Sequence, residues 1–554
     1  MRNSTRLEAR LTVLFAARSR WRLLSVLVLC VSALSATVRA DDVTLDVAYD
    51  TLPVSLDIHE QLTVGVLRLA HLAFDPLVRW DRHLGLEPRL ATAWERLDDT
   101  TLRLHLRRGV HFHSGNLFTA RDVAWTVARL KRSPDFKAIF APIVDVTVVD
   151  DATVDLHTRR PFPLLLNLAT YIFPMDSRFY SGKRPANTAD GQSQDKAAIV
   201  KGGDTFASRH LSGTGPFEVT RFQPGARIEL TRFPDYWDHA SPGNVEHLSE
   251  VAIGESATRV AALLAGDVDF IAPVPTTALT RLEHAPGIDL VTMPGVRITL
   301  LQLNQRRVPA FRDRRVRLAM NYAVDQRAIA KHLLEGFVTP AAQMSPEGYA
   351  GHDDQLTPRY DLAKARQLMR EAGYPDGFEV TLMAPNNRYV NDAQTAQVAL
   401  AVAAMLAKIH IRVDFKTLPK NQYWTEYDRR AADIMMMGWY SDTGDSANFF
   451  EYLTFCPDRH SGTGQYNASE YCNPELDSLV ALANSETDMR RRTSMLRQAE
   501  AMVYADAPFI PLYWQNLAWA ASDRVAIEPV LNVMNMPYLG DVVVTPRAGE
   551  THSR

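Results

Sequence analysis

Two acidic residues stand in one loop near the end of the chain, directly after an apolar run. Asp442 and Asp445 lie in the stretch MGWYSDTGDSANFF, which also carries Trp439. A carboxylate held there could accept hydrogen bonds from a ligand ammonium group, or the pair could act in acid–base catalysis. The catalytic hypothesis is weaker, because no nucleophile or metal cluster accompanies the loop in the sequence. We therefore expect a binding site and no enzymatic activity.

A second loop carries the complementary charge. Arg388 lies in APNNRYVND, just after an apolar run that ends at Pro385. A guanidinium group fits a carboxylate, so Arg388 and Asp442 could hold the two charged ends of a short peptide. Each such contact contributes roughly 1.5–3 kcal/mol when shielded from water. Spacing alone also allows the commoner roles, a solvated Arg and an Asp that caps a turn.

The elements around these loops alternate between strand and helix. Strand patterns and helix patterns follow one another at 378–385, 393–410, 411–418, 421–431 and 433–440. This βαβαβ order is typical of a largely parallel sheet covered by helices, an α/β fold. Because such sheets bind ligands beyond the carboxyl ends of their strands, we expect the loops with Arg388 and Asp442 along one edge.

The N-terminal half shows scaffold patterns. Alternating apolar residues predict strands within DVTLDVAYD and at Leu102 to Leu106 and Val110 to His113. Thr119, with Asp122 three residues later, predicts a helix start. Residues 181–210 are polar and lack an apolar period, which predicts an exposed connection, with a short helix in DKAAIV.

The first forty residues have the pattern of a secretory signal peptide. Arginines precede an uncharged apolar run from Leu23, and the small-residue end TVRA is followed by DDV. We predict cleavage after Ala40 and export to an oxidising compartment. The run is shorter than the roughly 20 apolar residues of a spanning helix, which disfavours a retained anchor. A lipid anchor at Cys30 is the minor alternative.

Charge and length limit the class of protein. Removing the predicted signal takes away seven Arg and one Glu, so that the formal charge of −3 becomes −9. A chain this acidic is not typical of a nucleic-acid binder. Even without its signal the 554-residue chain is too long for one core, which predicts two or three lobes. We expect a monomer.

Two cysteines stay in the mature chain. In an oxidising compartment Cys456 and Cys472 are expected to form a disulfide, worth about 3 kcal/mol by chain entropy. Two free buried thiols are the alternative. No His or Cys neighbours stand at ligand spacing, so we expect no metal site and no cofactor.

Four stretches along the chain resemble one known family. They are LRLHLRRGVHFHSGNLFTARDVAWTV, GTGPFEVTRFQPGARIELTRFPDYW, LLQLNQRRVPAFRDRRVRLAMNYAVD and APFIPLYWQ. On these motifs the chain resembles the extracellular solute-binding proteins of family 5, the peptide and nickel class that serves ABC importers. The likeness covers essentially all of the mature chain, and the last third is most similar to periplasmic dipeptide-binding proteins.

The resemblance implies roles for the residues of the two charged loops. In the dipeptide binders, MGW followed by an Asp three residues after the Trp supplies the acid that takes the amino terminus of the ligand. Here that pattern falls on Trp439 and Asp442. Arg388 lies in the segment that corresponds to their carboxylate-binding loop. The cysteine pair falls where the dipeptide binder has a disulfide, which favours the bridge.

The acidic loop departs from the family pattern. Ser446 and Ala447 stand where the dipeptide binders tend to have Pro and Asp. If the local bend differs, Asp445 would replace Asp442 as the ligand partner. Trp439 is expected to pack on the ligand, with a role as core aromatic as the alternative.

The family fold implies a two-lobe periplasmic binding protein of type II, in the large cluster C class, with a hinge. We expect lobe I to comprise residues 41–71, 213–300 and 515–554. An inserted subdomain would span 72–212, and lobe II would span 301–514. The two crossing segments would let the lobes close over a ligand.

The resemblance and the charged loops together predict a periplasmic binding protein that captures a small peptide, a dipeptide above all. Its partner would be an ABC permease in the inner membrane. Alternative ligands within the family are glutathione, a longer oligopeptide, a nickel chelate, haem or an opine-like compound. Hypotheses of another class are an exported peptidase or a chaperone, but no GxSxG or HExxH motif supports a hydrolase.

Overall fold

A mixed sheet of eleven strands runs through the part of the chain that the structure describes. The structure is a computed structural model, which describes residues 43–183, 195–386, 395–441, 443–458 and 463–547. Residues 43–545 form one compact unit, which contains the sheet and all the sites discussed below.

The strands are short except for two. They are β1 Thr44–Tyr49, β2 Val78–Trp80, β3 Leu86–Pro88, β4 Ala91–Asp98, β5 Thr101–Leu106, β6 Ile143–Asp150, β7 Thr153–Thr158, β8 Phe217–Gln223, β9 Arg227–Arg232, β10 His247–Ala252, β11 Phe270–Ala272, β12 Ile288–Leu303, β13 Val338–Pro340, β14 Phe378–Pro385, β15 Ile411–Leu418, β16 Ile434–Trp439, β17 Phe509–Ser522, β18 Val525–Ala526 and β19 Val543–Val544.

The helices lie mostly in the second half of the chain. They are α1 Val64–Ala73, α2 Ala120–Leu130, α3 Leu165–Leu168, α4 Ser256–Ala265, α5 Leu279–Glu283, α6 Arg314–Ala323, α7 Gln326–Ala328, α8 Leu362–Glu371, α9 Thr395–Ala407, α10 Lys420–Asp428, α11 Ala447–Leu453, α12 Pro474–Ala483 and α13 Met489–Asp506. A π-helical turn, Ile329–Leu333, follows α7.

The order of strands in the sheet is β15-β14-β16-β12-β17-β11-β1-β10-β9-β8, with β13 paired to β17. β14 pairs in parallel with both β15 and β16, as the βαβαβ pattern predicted. β12 and β17 pair antiparallel with each other from Ile288 to Gln302. With 16 and 14 residues these are the long strands, and they cross the middle of the sheet.

A separate four-stranded sheet, β4-β5-β7-β6, forms among the described residues of the predicted inserted subdomain. It packs against α2, which begins at Thr119 with the expected capping box to Asp122. The predicted boundaries of the lobes and of the subdomain stay a prediction.

Most of the predicted elements are present, but two are not. Val110 to His113 form no strand, and only His111 makes an isolated bridge, to Leu117. The stretch DKAAIV is a turn rather than a short helix. Both predictions were wrong because a few alternating or helix-favouring residues carry too little local free energy to form an element without neighbours.

The expectation that residues 181–210 form an exposed connection is also wrong for part of the segment. Residues 184–194 lie outside the described residues, but Thr205 and Ala207 are fully buried. Arg129 explains this packing, because its guanidinium donates to the carbonyl oxygens of Ala197 and Ala198 as well as to Asp57. A buried arginine therefore holds a polar segment against the core.

The disulfide between Cys456 and Cys472 is present, with 4.3 Å between the two Cα atoms. It joins the segment after α11 to the residue just before the N-cap of α12, Asn473. The backbone N–H of Cys456 also donates to Asp477 of α12, at 3.0 Å.

Replacing Gly215 with alanine tests the packing that positions α1. The new Cβ would lie 2.5 Å from the carbonyl carbon of Ala73, at the end of α1, so backbone atoms would have to move. We expect Gly215→Ala to lower the free energy of unfolding by about 1–3 kcal/mol in urea titration. Gly254→Ala is the matched control, because its Cβ would approach nothing closer than 3.6 Å. Equal losses in the two variants would contradict this account.

Candidate ligand-binding cleft

A cleft of about 440 Å³ opens beside the paired strands β12 and β17. Its walls are formed by residues 50–54, 61–68, 296–297, 515–518 and 533–536, with Tyr440. The walls thus come from both halves of the sheet and from the first turns of α1. A concave space of this size suits a small ligand held by a few polar groups.

The cleft coincides with an irregularity in the pairing of β12 with β17. The register shifts between Met293 and Arg297. Gly295 lies in this interval, and a Cβ there would overlap the carbonyl oxygen of Gln515. Only a residue without a side chain allows this close approach. Arg297 follows the irregularity and lines the cleft, with its guanidinium 4.6 Å from the centre of the Tyr440 ring.

The two charged loops begin at one edge of the sheet. Because β14 and β16 are parallel neighbours, the chain leaves Pro385 and Tyr440 on the same side. Tyr440 lines the cleft, so the acidic loop begins at the cleft wall. Asp442 and Arg388 themselves lie outside the described residues, and their roles stay predictions.

Trp439 is half-buried in an aromatic cluster. Its Nε1 donates to Asn448 Oδ1 at 2.7 Å. Its ring centre lies 5.1 Å from that of Tyr452 and 4.9 Å from that of Tyr466. Trp439 is not among the residues that line the cleft, whereas its neighbour Tyr440 is.

Asp445 is buried and its carboxylate is engaged. Arg492 of α13 donates to it from Nη2 at 2.7 Å and from Nε at 3.3 Å. The backbone N–H of Ala447 donates to the same carboxylate at 2.8 Å. The Arg492 and Asp445 side chains are 0% and 2% exposed. Asp445 therefore holds the acidic loop to α13.

The acidic loop also touches the predicted inserted subdomain. Asn167 Nδ2 donates to the carbonyl oxygen of Thr443 at 2.8 Å. Gly444 has a φ of +64°, and a Cβ there would lie 2.7 Å from the Trp80 ring. The loop is thus tightly packed against described residues of the predicted inserted subdomain.

A charged residue on the opposite wall was missed by the sequence analysis. Arg68 of α1 lines the cleft and is only 8% exposed. Its guanidinium lies over the Tyr49 ring, 3.5 Å from the ring centre. Glu250 of β10 is buried nearby, and burial raises the pKa of its carboxyl to about 7, a rise that the Arg68 charge opposes. The signal in the sequence is a single arginine inside the apolar helix VGVLRLAHLA.

Residues 85–461 match the family model of the bacterial extracellular solute-binding proteins, family 5 Middle. The chain belongs to this family. The family predicted from the motifs is thereby confirmed, and the match spans more than half of the chain.

Two curated relatives align with most of this family 5 chain. The glutathione-binding protein GsiB of Salmonella choleraesuis is 28% identical over 456 residues, which cover 80% of this chain and 84% of that protein. Heme-binding protein A of Haemophilus influenzae is 30% identical over 455 residues, which cover 77% and 78%.

A solved structure shares the fold. The ABC transporter-associated periplasmic binding protein DppA of Helicobacter pylori, in complex with peptide STSA, superposes with a TM-score of 0.70 at 24% identity. The superposition covers 90% of this chain and 98% of that one. The predicted two-lobe α/β fold of periplasmic binding proteins is confirmed.

The family assigns a general function. This family 5 protein is a periplasmic solute-binding component of an ABC importer, and its relatives are binding proteins rather than enzymes. Signal cleavage after Ala40 and the monomeric state stay predictions. Across the described residues no helix is long and apolar enough to cross a membrane. In the same part of the chain, no group of three or more His, Cys, Asp or Glu could hold a metal ion.

Replacing Asp445 with alanine should lower the free energy of unfolding rather than affect ligand binding specifically. Asp445→Ala would leave Arg492 buried without its carboxylate, and we expect a loss of about 3–5 kcal/mol of unfolding free energy. Glu528→Ala is the control, because it breaks the exposed pair with Arg82 and should cost less than about 1 kcal/mol. Comparable urea midpoints for the two variants would contradict a structural role for Asp445.

Glu250 should make stability depend on pH. Its folded-state pKa of about 7 lies above the ordinary 4.5, so its protonated form stabilises the fold. That contribution is fully present below about pH 4.5 and is lost as the pH rises through 7, by up to about 3 kcal/mol. Glu250→Gln should therefore lose less stability than wild type between pH 4.5 and 8, measured by urea titration. The exposed Glu379→Gln should follow the wild-type curve, and a Glu250→Gln curve parallel to wild type would contradict the prediction.

Proposed function

We propose that this family 5 protein captures short peptides, dipeptides above all, and delivers them to an ABC permease in the inner membrane. The observation that carries the proposal is the position of the two charged loops. The acidic loop begins at Tyr440 on the cleft wall, and the loop with Arg388 begins at the same sheet edge. A carboxylate and a guanidinium on adjacent loops suit the two ends of a zwitterionic peptide.

In this proposal Asp442 takes the ligand ammonium group and Arg388 takes its carboxylate. Asp445 is the weaker candidate, because Arg492 and the N–H of Ala447 already occupy its carboxylate. Trp439 holds the start of the acidic loop in place rather than contacting the ligand, since its ring packs on Tyr452 and Tyr466 and does not line the cleft.

Closure of the lobes would complete the site. The walls come from both halves of the sheet, which are joined through β12 and β17 at the irregular pairing beside the cleft. Bending there would bring the walls together and exclude water, which strengthens each charge-assisted contact. Main-chain groups of the ligand would pair with the strand edges, so side-chain identity would matter less than the charged ends.

Glutathione is the second candidate. The relative GsiB is named as a glutathione-binding protein, and glutathione is itself a short peptide with an ammonium group and carboxylates. The H. pylori neighbour was solved with a tetrapeptide, STSA, so the same fold also holds longer ligands. Titration with each ligand separates these candidates.

The test is calorimetric titration of the protein without residues 1–40, unfolded and refolded to remove carried-over ligand. We expect Ala-Ala to bind and N-acetyl-Ala-Ala to bind at least about tenfold more weakly, since acetylation removes the ammonium charge. Asp442→Ala should weaken Ala-Ala binding by more than about tenfold for the same reason. Asp414→Ala, at an exposed acid of β15, is the control and should bind like wild type.

Three outcomes would contradict the proposal or its assignment of the ammonium anchor to Asp442. Equal affinity for Ala-Ala and for its acetylated form would show that no side chain anchors the ligand ammonium group. No binding of Ala-Ala together with tight binding of glutathione would assign the cleft to the second candidate. A loss of affinity in Asp445→Ala at unchanged urea midpoint would move the anchor from Asp442 to Asp445.

A further inference from the structure

The first turn of α1 faces the cleft. Thr63 is the N-cap, and its side chain accepts from the N–H of Val66 at 3.3 Å. The N–H groups of Val64 and Gly65 donate no hydrogen bond within the part of the chain that the structure describes. Thr63, Val64 and Gly65 all line the cleft. The helix has no acidic residue in this turn, so its N-terminal positive potential is not neutralised locally.

Arg68 brings a full positive charge to the same point. It follows Gly65 by three positions, which places both on one side of the helix. Its Nη2 lies 3.9 Å from where a Cβ of Gly65 would stand, so the guanidinium lies alongside the first turn. The missing side chain at Gly65 leaves that approach open.

The charge of Arg68 is not fully compensated by the protein. The side chain is more than nine-tenths buried, and its Nε has no hydrogen-bond partner among the described residues. No salt bridge to Arg68 forms within those residues either. The guanidinium covers the Tyr49 ring and is hydrogen-bonded to the Tyr49 side chain, but a neutral tyrosine does not neutralise its charge. A buried cation in this position is costly unless an anion joins it.

Two acids lie in this region among the described residues: Asp50, which lines the cleft, and Glu250 of β10, whose carboxyl interacts electrostatically with Arg68. Among the described residues the Oε1 of Glu250 is buried without a hydrogen-bond partner, and Glu250 forms no ion pair with Arg68. Near neutral pH its carboxyl is only partly ionised, because burial raises its pKa to about 7. A partly ionised Glu250 that forms no ion pair with Arg68 leaves the guanidinium available to an incoming carboxylate.

We propose that Arg68 and the N-terminal turn of α1 form a second anion subsite, which binds the acidic side chain of a bound peptide. The inference rests on the proposed function in one respect, that the ligand is a peptide. It makes the protein selective for peptides that carry a carboxylate in addition to their C-terminal one. The guanidinium and the free N–H groups of Val64 and Gly65 are the donors.

The experiment compares acidic dipeptides with their amides by calorimetry. The pairs are Ala-Glu with Ala-Gln and Glu-Ala with Gln-Ala, so that either side-chain position can reach the subsite. We expect wild type to prefer the acid of at least one pair by about tenfold, as a shielded charge-assisted contact would give. Arg68→Gln should reduce that preference to less than about threefold. Arg121→Gln, which removes an exposed charge from α2, should keep it.

The results separate this inference from the proposed function. Binding of Ala-Ala with no preference for either acid overturns the subsite and leaves the proposed function standing. An equal loss for acid and amide in Arg68→Gln assigns Arg68 a merely structural role and also overturns the subsite. If no dipeptide binds wild type, the proposed function fails. The change in Tm on adding glutarate then tests whether the subsite binds a carboxylate. A rise in Tm with glutarate that is absent in Arg68→Gln supports the subsite, and a rise that persists in that variant overturns it.

Discussion

The antiparallel pairing of β12 with β17 is the interaction on which the rest of the structure depends. These strands lie at the centre of the sheet, with β16 and the parallel strands on one side and β11 and β1 on the other. Their hydrogen bonds join segments more than 200 positions apart in the sequence, so both halves of the sheet depend on them. The register of this ladder shifts at two places, between Met293 and Arg297, where Gly295 lies, and between Thr299 and Leu300. The first of these irregularities lies at the cleft, where interrupted pairing is suited to bending.

Some buried charges hold segments of the chain in place through ion pairs, whereas one buried charge, at the cleft, forms no ion pair among the described residues. Asp57 with Arg129 and Asp445 with Arg492 are ion pairs whose side chains are nearly unexposed and well hydrogen-bonded. Such pairs do little for net stability but strongly penalise any arrangement that separates them. They hold a polar segment on α2 and the acidic loop on α13. Arg68 at the cleft wall has no comparable partner among the described residues, which is why we associate it with a ligand rather than with the scaffold.

Much of the fold could be predicted from local patterns. The strand bounds at 378–385 and 411–418 match β14 and β15, and the capping residues predicted α2, because hydrophobic period and capping act within a few residues. The failures lie where a pattern was short or its partner distant. Val110 to His113 alternate like a strand but have no neighbouring strand to pair with, and the polar segment after residue 195 is buried by Arg129.

The sequence by itself determined the family and the parallel strand order of the second half, and it predicted the acidic loop as the partner of a ligand ammonium group. These conclusions rest on motifs and periods that are contiguous in the chain. Only the tertiary structure showed that the Asp445 carboxylate is hydrogen-bonded to Arg492, because the two residues lie 47 positions apart in the sequence. It alone also placed Arg68 on the cleft wall beside Glu250. Contacts of this kind depend on how the sheet and helices pack, and no local spacing in the chain encodes them.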